Sequence, residues 1–73
     1  MNRLVTSRHY TIEGDDVLAS VRRAVDSYAR RNYGTRPGVV YLHPDRIPEE
    51  WPGDLPPVQA NVFMSRDHVG MGE

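Results

Sequence analysis

Residues 16–33 read DVLASVRRAVDSYARRNY, and this stretch decides the fold. Val17, Val21, Ala24, Val25 and Tyr28 recur at three- and four-residue spacing, which places them on one stripe of an α-helix. Leu18, Ala29 and Tyr33 widen that stripe on one side. Aspartates stand at its start, where a side-chain oxygen caps free amides, and Arg30 and Arg31 stand at its end, where cations suit the helix dipole. Arg22, Asp26 and Arg30 are spaced for i, i+4 ion pairs, and Gly34 is placed as the C-terminal cap. A helix of this length holds in water only when its apolar stripe is covered. The flanking segments must therefore supply a second layer.

They read as strands. Residues 3–12 carry Val5, Thr6, Tyr10, Thr11 and Ile12, and alternation sets Leu4, Tyr10 and Ile12 on one face with Thr6 and Arg8 between them. That half-apolar face predicts an edge strand, or one that meets a partner. After Gly34 and Pro37, residues 39–43 (VVYLH) form a continuous apolar run, the pattern of a central strand covered on both faces, and Pro44 ends it. Residues 45–57 hold Pro48, Pro52, Pro56, Pro57 and Gly53, which predicts a long loop without regular structure. Ile47, Trp51 and Leu55 lie four apart in it and are suited to pin it to the core as a hydrophobic clasp. Residues 58–64 alternate, with Val58, Ala60, Val62 and Met64 on one face and Phe63 on the wet one, and residues 68–71 add a short last strand. The expected fold is α+β: one amphipathic helix on a small three- to four-stranded sheet in β-α-β-β order, a single domain over residues 1–73 with the proline-rich loop 45–57 inside it.

Size sets the next bound. A chain of 73 residues buries only about 60% of the surface that its unfolded form exposes, so its core is thin. It has no cysteine, so neither disulfides nor thiolate zinc sites can staple it. Oligomerisation is the remaining common remedy, and a homodimer is the expectation. No apolar run is long enough for a transmembrane helix and the first residues lack a signal-peptide pattern, so no membrane partner is expected and the cytoplasm is the expected compartment. The net charge of −1 gives no global pull toward nucleic acid. All nine basic residues are arginine, whose planar fork pairs bidentately with carboxylates and phosphates.

Several chemistries can be weighed on the residues. His43, Asp45 and His68 combine imidazoles with a carboxylate and would suit a metal-assisted hydrolase, with His9 a third imidazole, yet no local ligand spacing joins them. Ser65 as a nucleophile lacks the Gly-x-Ser-x-Gly elbow, and no phosphate-binding glycine loop precedes a helix. No cofactor, metal site or catalytic residue is therefore assigned. Arg22, Arg23, Arg30 and Arg31 make a candidate nucleic-acid stripe, although Asp26 sits among them and favours a self-paired face. Trp51, Phe63, Ile47 and Tyr10 are the candidate interface residues, being large apolar side chains in a loop, on a wet face or on an edge strand. The leading expectation is a non-enzymatic binding or assembly module, with nucleic-acid binding and metal-assisted hydrolysis as the alternatives.

Overall fold

The computed structural model describes residues 10–72. The chain runs β1 (Tyr10–Thr11), α1 (Val17–Arg31), β2 (Val39–Leu42), a 3-10 turn at Pro44–Arg46, β3 (Val58–Ala60) and β4 (His68–Gly72). Of the expected first strand only this end falls within the described residues; Leu4, Val5, Thr6 and Arg8 lie outside them. The described strands form one four-stranded sheet in the order β1-β4-β2-β3, so the fold is α+β. β4 lies antiparallel to both β1 and β2, and β3 runs parallel to β2. The last strand in sequence is thus inserted between the two that α1 connects.

Helix α1 forms where the spacing placed it. Asp16 caps it by accepting from the Ala19 amide at 3.0 Å, while the first turn itself holds no acidic residue. Val21, Ala24, Val25 and Tyr28 are buried, and with Val40, Leu42, Val69 and Met71 from the sheet, and Ile12 and Leu55, they form the core. Ser20 is buried among them and accepts from the Glu13 amide at 3.1 Å, which ties the turn before the helix to its first residues.

Several expectations are corrected. The helix stops at Arg31, so Tyr33 leaves the apolar stripe and stands fully exposed. Its φ of +56° makes it the left-handed residue of the C-terminal cap, with Gly34 next at +87° and the Gly34 amide donating to Ala29 O at 2.7 Å, the bond of a Schellman closure. Asp26 makes no ion pair with Arg22 or Arg30 among the described residues. Among the described residues β2 is covered on one face only: Val40 and Leu42 are buried in the core with α1, while Val39 and Tyr41 are half-buried on the other face. β3 ends at Ala60 rather than Met64, because the Asn61 side chain accepts from the Phe63 amide at 3.0 Å and turns the chain.

The proline-rich segment has no regular structure beyond the 3-10 turn, and it acts as the crossover that lets β3 lie parallel to β2. Leu55 enters the core, Ile47 and Trp51 pack against it, and the Trp51 indole donates to Pro56 O at 2.8 Å. The hydrophobic clasp therefore forms. Arg36 donates to Asp54 O at 2.8 Å, which fastens the same segment beside the end of the helix.

Candidate functional site

The direction of the strands decides where side chains can gather. β1 and β2 run the same way and α1 returns between them, so the helix N-terminus, the end of β2 and the start of β4 meet at one end of the molecule. Loops at the carboxyl ends of parallel strands commonly build sites in such sheets. Here they line an open recess of about 390 Å³ formed by Asp15, Asp16, Val17, Leu18, Asp45, Arg46, Ile47 and Pro48. Its size is within the range of about 300–1,000 Å³ usual for small-ligand pockets. Val17, Leu18, Ile47 and Pro48 make its apolar part, and Asp15, Asp16, Asp45 and Arg46 its polar part.

An ionic strap fixes one wall. Arg66 reaches Asp45 at 2.8 Å, and Arg46 donates through Nε to Arg66 O at 2.8 Å and approaches Asp67 at 3.5 Å. These contacts neutralise Asp45 and hold the Arg46 guanidinium to the 65–68 turn. Asp15, which lines the cavity, and Glu49 and Glu50, which follow Pro48 in the chain, are exposed and form no ion pair among the described residues.

The candidate residues fall in different places. His43 lies 3.9 Å from Asp45, but no group of three or more His, Asp or Glu side chains among the described residues gathers as a metal site, and His9 lies outside them. Arg22 forms a two-pronged ion pair with Asp54, and Arg23 lies 3.9 Å from Glu13. The hydrogen bond from Arg22 holds the Asp54 carboxyl below its ordinary value and raises the guanidinium's in turn. Half of the arginine stripe is thus paired internally. Arg30 and Arg31 stay exposed, with no ion pair or side-chain hydrogen bond among the described residues. Trp51, Ile47 and Tyr10 pack against the core, whereas Phe63 is 95% exposed and its neighbour Val62 is 64% exposed.

Two features escaped the sequence reading: Tyr33, 101% exposed at the helix end, and the acid-rimmed cavity at the helix start. The signal for the first was the Tyr-Gly pair at the end of the helical pattern. The cavity had no local signal, because its walls are some thirty residues apart in the chain. No helix among the described residues is long and apolar enough to cross a membrane. Compared with protein-family models, with curated proteins and with solved structures, the chain finds no match.

Proposed function

We propose that this chain is a non-enzymatic assembly module of the cytoplasm that pairs with a second copy of itself through the Val62–Phe63 turn and the free edge of β3. The observation that carries the reading is the exposure of Phe63 at 95%, beside Val62 at 64%, on the turn that follows an edge strand. An aromatic side chain contributes roughly 150–250 Å² of burial in an interface, and exposed apolar pairs of this kind are favoured contact points. The outer edge of β3 has no neighbouring strand among the described ones, so its backbone can extend the sheet into a second copy. The outward aromatic then seals the junction.

Size-exclusion chromatography with light scattering tests this on the full chain. The native protein is expected to run as a dimer at micromolar concentration, and Phe63→Ser as a monomer of unchanged secondary structure. A native protein that stays monomeric at hundreds of micromolar, or a Phe63→Ser variant that remains dimeric at micromolar concentration, removes the proposal.

A further inference from the structure

Tyr33 is an aromatic residue in a left-handed conformation at φ +56°, a position that glycine usually takes, and its side chain is 101% exposed and packs on nothing among the described residues. Strain of this sort in an ordered position points to use by something outside the protomer. Beside it Arg30 and Arg31 present guanidinium groups without ion-pair partners among the described residues. Tyrosine and arginine are the residue types that most often dominate interface energies. At the other end of α1 lies the cavity with an apolar lining of Val17, Leu18, Ile47 and Pro48; Asp15 lines it too, Glu49 and Glu50 follow Pro48 directly in the chain, and these three carboxylates form no ion pair among the described residues. The two ends match in kind: an exposed ring flanked by cations, and an apolar recess flanked by anions.

They cannot meet within one protomer. Helix α1 has 15 residues, about 22 Å at 1.5 Å per residue, and it separates the ring from the recess. The molecule's longest dimension is 30 Å. We infer that copies of this chain stack head to tail, the Tyr33 ring of one entering the acid-rimmed recess between the start of α1 and the loop after β2 of the next. The contact is heterologous, so unless a rotation closes it into a ring it propagates as a filament. It shares with the reading above only that the chain associates with itself. The surface is a different one.

Charge exchange between two variants tests the pairing, at near-millimolar protein, above the range in which Phe63→Ser runs as a monomer, and in a Phe63→Ser background that keeps the other proposed interface out of the measurement. Arg30→Glu with Arg31→Glu makes the projecting end negative, and Asp15→Arg with Glu49→Arg makes the receiving end positive. Each double variant opposes like charges in its own stack and is expected to lose self-association at least about ten-fold. Their equimolar mixture juxtaposes opposite charges at every junction and is expected to restore it to within about three-fold of the parent, by sedimentation velocity. Circular dichroism verifies that the variants fold. Should a charge variant unfold, Tyr33→Ala, which changes no charge and removes no internal contact, carries the test with the same ten-fold loss expected. Single variants that associate like the parent, or a mixture no tighter than its components, overturn the stacking. So does a single-stranded oligonucleotide that binds the parent at low salt and not the Arg30/Arg31 variant while self-association is unchanged, since the basic end would then serve a polyanion.

Discussion

At the scale of single residues, the two ends of α1 show what a sequence declares and what it conceals. Asp16 is legible as a cap because it stands directly before the first apolar position of a periodic run, and its carboxylate does accept from the Ala19 amide. Asp16→Ala is expected to cost about 1 kcal/mol in urea denaturation. The other end misleads. Glycine is the usual left-handed closer, so Gly34 drew the assignment, yet the Schellman geometry gives the closing position to Tyr33 and leaves Gly34 one residue beyond. Because the Tyr33 ring is fully exposed and packs on nothing among the described residues, Tyr33→Gly removes the strain without removing packing and is expected to stabilise the protomer by about 1 kcal/mol. A destabilised Tyr33→Gly variant in the same assay would show that the ring is held by something in the protomer after all. Arg22 misled in another way, since its helical neighbour Asp26 is the local partner that spacing suggests, whereas the loop returns Asp54 to it from 32 residues away. The Asp54 carboxyl is held low by that hydrogen bond, so its stabilisation is present above the ordinary carboxylate value and is lost as pH falls through the depressed one. Asp54→Asn is therefore expected to flatten the acid limb of the stability profile below about pH 4 and to leave neutral pH less stable by a small margin.

At the scale of elements, periodicity identified the helix and the strands but not what covered them. Five apolar or aromatic positions in a row at residues 39–43 leave no wet face in sequence, which is the pattern of a strand buried on both faces. The sheet resolves this through β4, where Gly70 and Gly72 sit opposite Tyr41 and Val39. The side chains of Val39 and Tyr41 close over Gly72: a Cβ built there would come within 2.6 Å of Val39 Cγ1 and 2.7 Å of Tyr41 Cε2. The open face thus covers itself in part, an aromatic lying across glycine backbone. Gly72→Ala is expected to destabilise by about 1–3 kcal/mol, since the ring of Tyr41 can swing aside but the short branched Val39 cannot. Gly53→Ala, with nothing within 4 Å of its Cβ, serves as the control and should stay within about 0.5 kcal/mol of the parent. Urea denaturation of the pair decides it, and equal stabilities would mean that the Val39 and Tyr41 side chains are not packed on the glycine. The parallel pairing of β2 and β3 was not legible because proline loops carry no directional signal. Their separation by residues 43–57 nevertheless satisfies the dozen or more residues that a parallel crossover needs.

At the scale of the whole molecule, the thin core foreseen from chain length is one helix on one sheet face, and the consequence is a link between stability and concentration. A protein of 73 residues has about 4–11 kcal/mol of stability at 0.05–0.15 kcal/mol per residue. A partner that binds only the folded form adds RT ln(1 + [L]/Kd), about 2.7 kcal/mol when its concentration is a hundred times Kd. For a domain of this size each kcal/mol moves the melting temperature by roughly 4–8 °C. If the Phe63 side chain, legible in the sequence as the aromatic on the wet face, is an interface anchor, Tm of the native chain should climb by several degrees between low and high micromolar protein. Phe63→Ser should melt at one temperature throughout that range, with Tm close to that of the dilute native chain, because removing a 95% exposed ring takes nothing from the protomer's own core. Calorimetry over a concentration series measures both. A native Tm independent of concentration would mean that the folded form gains nothing from a second copy, and a Phe63→Ser variant that melts well below the dilute native protein would place the ring's contacts inside the protomer instead.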